Sequence, residues 1–205
     1  MWSPPPLARD RRSSPPGFIL PCQPTLAFRV PTSSVWIHEI KHDGYRMICR
    51  REGDKARLWS RTMVSWTEAM PRIVEGIRAL PCNSCVLDGE AIVQRPDGLD
   101  DFHALRSRAG ARHAILFAFD LLELDGVDLR PQSLEARKSE LRRLLGIPVD
   151  GVAFTDSMDE RGEDLFRHAC MMGLEGIISK RRDSPYRSGR TQAWLKVKCP
   201  RYERR

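Results

Sequence analysis

Apolar residues in this chain recur in two rhythms. Short β-branched or alternating runs predict strands over Val35 to Ile40, Tyr45 to Arg51, Ala56 to Arg61, Cys85 to Gln94, His113 to Glu123, Val127 to Leu129, Gly151 to Asp156, Ile177 to Arg181 and Trp194 to Lys198. Glu52-Gly53-Asp54 and Asp125-Gly126 close hairpins between them, and Asp88-Gly89 interrupts the run from Cys85. Helical spacing at Met70, Ile73, Val74 and Ile77 predicts a helix over Trp66 to Leu80, with Thr67 as its cap and Pro71 in the first turn. Ser133 caps a second helix that stops at Gly146 and Pro148, and further helices cover Asp100 to Arg108 and Arg161 to Met172. A polar loop fills Asp183 to Gln192. Many strands with interspersed helices, and no regular βαβ rhythm, predict an α+β fold of mostly antiparallel sheets with flanking helices.

Composition narrows the class. The 205 residues are 41% hydrophobic and 30% charged, the balance of a globular domain long enough to bury a core. A net charge of +7 favours a polyanionic partner, with nucleic acid the natural candidate. Proline and arginine crowd residues 1–24, which are expected to form an extended, poorly ordered leader. The globular part then covers 25–199, and 200–205 is a basic tail. No apolar run reaches membrane-spanning length. Cys82-Asn83-Ser84-Cys85 has the spacing of half a metal site, but no second pair answers it, so all six cysteines are expected to be free thiols in a reducing cytoplasm.

Candidate chemistry concentrates at Lys41. It leaves the first strand on the face that carries Glu39, opposite Trp36, His38 and Ile40. A strand-end lysine ordinarily keeps its head group in water. A nucleophilic role instead requires the neutral amine, which desolvation and neighbouring cations promote. Lys196 and Lys198 share a face of the last strand, as an edge lined with lysine does, or as a phosphate clamp does. Glu90 and Glu175 each adjoin a glycine at the mouth of an apolar strand, a placement open to a turn acid or to a ribose or magnesium contact. Phe119 shares a face with Phe117, as a core ring or as a platform for a base.

Five stretches follow in one order: Lys41-His42-Asp43-Gly44, Leu87-Asp88-Gly89-Glu90, Phe117-Ala118-Phe119-Asp120, Glu175-Gly176 and Trp194-Leu195-Lys196-Val197-Lys198. In them, from about Leu20 to Cys199, the chain resembles the nucleotidyltransferase (adenylation) domain of ATP-dependent DNA ligases, most closely the bacterial end-joining type. The first tetrapeptide alone is a weak signal, and the ordered set a strong one.

The resemblance implies an ATP-grasp-like domain in which Lys41 takes AMP from ATP. It implies that Glu39 contacts the adenine, that Phe119 stacks on it, and that Arg46 meets the ribose and phosphate. It further implies that Glu90 contacts ribose and metal, that Glu175 holds magnesium, and that Lys196 and Lys198 clamp the triphosphate. Nicked or broken double-stranded DNA would be the partner, in a bacterial cytoplasm on the nucleoid, with no membrane. Ser60-Arg61 matches a pair that approaches ribose and DNA, but Thr62-Met63-Val64 lacks the Asn-Gly turn usual there. The family's OB-fold domain does not follow within the sequence, which leaves a naturally short adenylation-domain protein, a fragment, or half of a two-chain enzyme partnered by a separate OB-fold protein or another repair protein. RNA ligases and messenger-RNA capping enzymes share the lysine motif, and a basic DNA-binding module without sealing activity is the alternative from another class.

Overall fold

A computed structural model describes residues 14–159 and 161–203. Its two sheets face each other across a shared layer of side chains. One sheet runs β1 (Cys22–Leu26), β10 (Gly189–Lys198), β9 (Gly176–Arg181), β2 (Trp36–Ile40). The other runs β4 (Lys55–Ser60), β3 (Tyr45–Glu52), β5 (Ser84–Ile92), β6 (Ile115–Leu124), β7 (Val127–Asp128), with β8 (Val152–Phe154) also paired to β6. The predicted antiparallel character holds for most ladders, while β1–β10 and β6–β8 are parallel.

Strand alternation decides what each face carries. Met47, Cys49, Leu58, Leu87 and Leu116 point away from the first sheet and bury against α1 (Pro71–Arg78). Ile48, Val86 and Phe119 point inward and meet Ile37 and Trp194 of the other sheet. A third cluster, Val30, Ala169, Ile177 and Val197, fastens the outer face of that sheet to α5 (Gly162–Met171). Each fully buried aliphatic side chain contributes about 1.5–3 kcal/mol, so the inward layer fixes the spacing of the sheets and the outer layers fasten the helices to them.

Several elements differ from their sequence outline. The helix over 66–80 shrinks to Pro71–Arg78, because a proline without an N–H suits the first helical position and Thr67 Oγ1 is spent accepting from Leu58 N at 3.0 Å. Asp100 to Arg108 yields two short helices, α2 (Phe102–Leu105) and α3 (Arg108–Ala111), each capped by a side-chain oxygen. Ser133 caps α4 (Leu134–Leu144) as its sequence predicts. Asp88-Gly89 does not end β5; the pairing with β6 slips there by one residue and the strand continues to Ile92. The loop over 183–192 gives way to β10 at Gly189, held by its parallel partner β1. That same pairing starts β1 at Cys22, three residues before the boundary expected at 25, whereas residues 1–13 of the leader lie outside the described residues.

The cysteines require a correction. Cys170 and Cys199 form a disulfide across 29 residues of sequence, joining the end of α5 to the residue after β10. The reason is tertiary: Cys199 N donates to Glu175 O at 3.0 Å, which seats the end of β10 against the turn that follows α5. Cys22, Cys49, Cys82 and Cys85 are free, and all but Cys82 are buried. Among the described residues no helix is long and apolar enough to cross a membrane.

Candidate active site

The inward layer opens at one end into a cleft of about 300 Å³. Glu39, Lys41, Arg46, Arg61, Glu90, Phe119 and Lys196 all line it. Glu175 and Lys198 stand at its edge, where Glu175 joins the cleft through Lys41. The residues singled out in the sequence therefore converge on one place, although they come from five strands and the loops beside them.

Lys41 sits just past β2, where its backbone N–H still donates to Gly176 O at 2.9 Å. Its Nζ lies 2.5 Å from Glu175 Oε2, and Lys198 Nζ lies 2.7 Å from Glu175 Oε1. Burial would push the Glu175 carboxyl up, but Lys41 and Lys198 hold it below the ordinary carboxylate range. The adjoining glycine is structural. Gly176 has φ +144°, and a Cβ there would meet Val197 O at 2.1 Å, so only glycine lets β9 approach β10 at this point. The loop after Lys41 is pinned as well: Asp43 N donates to Asp100 Oδ2 at 2.8 Å, and Tyr202 Oη donates to Asp43 Oδ2 at 2.8 Å.

Glu90 projects into the cleft with no hydrogen bond or ion pair among the described residues. Burial raises its carboxyl to about 7, with Lys41, Arg46 and His42 opposing. Lys196 has its ammonium lowered, first by burial and then by Lys41 and Lys198. Arg46 is held by two hydrogen bonds to Asp88, at 2.5 and 2.7 Å, and its guanidinium lies 4.4 Å from the Phe119 ring centre. Asp88 in turn accepts from Tyr186 Oη at 2.6 Å. Arg61 is exposed at the rim, where the turn forms without Asn-Gly because Met63 itself takes the left-handed conformation, φ 65°. That substitution costs about 1–2 kcal/mol relative to glycine.

The far end is aromatic and buried. Phe119 is 8% and Trp194 1% exposed, and Lys180 Nζ lies 4.1 Å from both ring centres. Glu39 touches Lys180 Nζ at 2.6 Å with one oxygen and Lys138 Nζ at 2.6 Å with the other. Burial alone would raise Glu39, but the two lysines hold it low; burial lowers Lys180 to about 8. Phe119 is thus faced by two cations as well as by the cleft. Its strand is fixed by Asp120, which Arg137 of α4 clasps at 2.7 and 2.9 Å in a fully buried pair.

Sequence reasoning missed Lys180, Lys138, Asp88 and Trp194 as members of this site. Signals were present for three. Lys180 and Ile178 alternate onto one face of β9, Trp194 and Lys196 onto one face of β10, and Asp88 lies inside a quoted stretch. Lys138 gave only an anomaly, a lysine on the buried stripe of α4 between Leu134 and Leu141.

The chain is also similar to known proteins. The family model described as ATP dependent DNA ligase domain matches residues 23–198. A multifunctional non-homologous end joining protein LigD of Pseudomonas aeruginosa is 39% identical over 173 residues, 82% of this chain and 21% of that protein. A probable DNA ligase of Sorangium cellulosum is 39% identical over 175 residues, 80% of this chain and 33% of its own length. The crystal structure of the ligase domain from M. tuberculosis LigD superposes with a TM-score of 0.76 at 30% identity, covering 87% of this chain and 60% of that one. The chain thus spans between about a fifth and a third of these two curated relatives.

Proposed function

The chain belongs to the ATP-dependent DNA ligase family, and from that premise we propose that it is a nucleotidyltransferase that takes AMP from ATP onto Lys41 for the sealing of DNA breaks. One observation carries the reading: a lysine amine stands with further lysines and carboxylates at one end of a cleft whose other end is lined by rings. The rings suit a base, and the lysines suit a triphosphate.

In the proposed step Lys41 parts from Glu175, 2.5 Å away, and reacts as the neutral amine, its proton passing to solvent before the attack. The nitrogen lone pair forms a P–N bond to the α-phosphorus while the P–O bond to the leaving pyrophosphate breaks, the electron pair leaving with that oxygen. Lys196 and Lys198 balance the charge gathering on pyrophosphate. Arg46, fixed by Asp88, lines the cleft with its guanidinium beside the Phe119 ring, suited to the ribose and α-phosphate. The adenylate then passes to a DNA 5′-phosphate, and attack by the neighbouring 3′-hydroxyl seals the strand and releases AMP.

Magnesium fits the residues present. Glu90 offers an unpaired carboxylate in the cleft, and Glu175 offers a second once its lysines turn to phosphate. Among the described residues no group of three or more His, Cys, Asp or Glu side chains could hold a metal ion. When bound, magnesium neutralises the developing phosphate charge. Nicked or broken double-stranded DNA is the proposed substrate, a separate OB-fold protein or another repair protein the proposed helper, and the bacterial cytoplasm and nucleoid the proposed location.

The test is incubation with magnesium and ATP labelled at the α-phosphate. Acid-labile label on the chain, absent from Lys41→Ala, is expected. No label, or equal label on the variant, would overturn the assignment. Nicked DNA set against nicked RNA identifies the acceptor.

A further inference from the structure

We propose that Lys138 is a positioning residue for base selection: packed behind Glu39, it holds the Glu39–Lys180 pair as acceptor beside donor, the pattern that takes a 6-aminopurine and rejects a 6-oxopurine. The inference rests on the nucleotidyltransferase reading above and adds to it the origin of nucleotide preference.

The cleft has two unlike ends. Lys41, Lys196 and Lys198 gather at one, and the Phe119 and Trp194 rings close the other. A flat heterocycle belongs at the aromatic end, where Glu39 and Lys180 present the polar groups. A carboxylate has roughly four acceptor sites and no donor when ionised. Here the two lysines engage one oxygen each, which leaves sites free toward the cleft. Lys180 Nζ lies 2.6 Å from Glu39, and because an ammonium carries three donors, others remain for the cleft.

An acceptor beside a donor matches the edge of adenine, whose exocyclic amine donates and whose adjacent ring nitrogen accepts. Guanine presents the reverse, an oxygen where the amine stands and an N–H where the ring nitrogen accepts. A site that leaves buried polar groups unpaired against the wrong edge discriminates strongly.

Lys138 does not line the cleft. It reaches Glu39 from behind, with its Nζ also donating to Thr155 O at 3.0 Å and lying 4.6 Å from the Phe154 ring centre. The neighbouring Arg137–Asp120 clasp anchors α4, so the ammonium is delivered from a rigid base. Without that charge one Glu39 oxygen loses its partner in a buried place, and the carboxyl is free to rotate or to take a proton. Protonated, it can donate to a 6-oxo group, and the preference weakens.

The experiment compares the full chain with Lys138→Met, Lys138→Gln and Lys138→Arg. Equilibrium binding of ATP and of GTP is read from tryptophan fluorescence, and label transfer from each α-labelled nucleotide is measured in parallel. The Met variant is expected to lose about tenfold in the ATP-to-GTP binding ratio, with the Arg variant close to the parent. Should Lys138→Met fail to fold by circular dichroism, Lys138→Gln carries the same expectation. An unchanged ratio in the charge-free variants, or an equal loss for both nucleotides, would overturn the inference. Because the ratio is read from binding, a parent chain that binds but takes no label would count against the proposed reaction and still decide the role of Lys138.

Discussion

Two lysine–glutamate–lysine clusters occupy opposite ends of one cleft. At the mouth, Glu175 is shared by Lys41 and Lys198; at the base, Glu39 is shared by Lys138 and Lys180. The chemistry is the same, and the solvent is not. Lys41 and Lys198 keep 20% and 52% of their side-chain surface in water, whereas Lys138 and Lys180 keep 7% and 2%. A pair that reaches water can part at small cost, as a nucleophile must. A pair sealed from water cannot, because each charge left alone would bear its full desolvation penalty. Identical residue types thus serve as a releasable amine in one place and a fixed recognition edge in the other.

The contrast is broken most directly at the shared carboxylates. Glu39→Gln leaves two buried ammonium groups uncompensated and is expected to destabilise the fold by about 3–5 kcal/mol. Glu175→Gln lets both lysines turn to solvent and is expected to cost about 1 kcal/mol while lowering label transfer. Urea unfolding of the two variants checks this, and equal losses would erase the distinction. Next in size, Cys170→Ser removes a bond that closes a loop of 29 residues and is expected to cost about 3 kcal/mol. The loss of label transfer in that variant then measures how far the open cluster depends on the tethered end of β10.

A further effect concerns pH. Burial lowers Lys180 to about 8 from an ordinary 10.5, so between these values the folded chain binds fewer protons than the unfolded chain. Its contribution to stability therefore rises with pH from about 8 to about 10.5 and is at its least below 8. Urea midpoints across that window should lose this slope in Lys180→Met. A slope that persists unchanged would move its origin to other groups.

Much of the site was legible because strand alternation is local. Glu39 with Lys41, and Lys196 with Lys198, share faces that two-residue spacing alone predicts, and the order of the motifs pointed to the family. The limits were equally physical. The helix over 66–80 was overdrawn because apolar spacing says nothing of how Trp66 and Thr67 are spent on β4, where Trp66 N donates to Leu58 O at 2.9 Å. Lys138 could not be assigned a role, since its partner lies 99 residues away in sequence. Asp88 and Gly89 looked like an interruption of the strand, while their neighbours β3 and β6 hold them within it, with a bulge against β6.

The sequence by itself determined the element types, the face each strand shows, and the presence of an amine, carboxylates, rings and lysines in family order. Those follow from backbone geometry and residue chemistry, which need no distant neighbour. Tertiary structure alone decided which lysine meets which glutamate, which pair stays wet, and that Cys170 meets Cys199. Partner and solvent are properties of packed space, and the same side chain releases its charge or locks it according to how much water the fold leaves beside it.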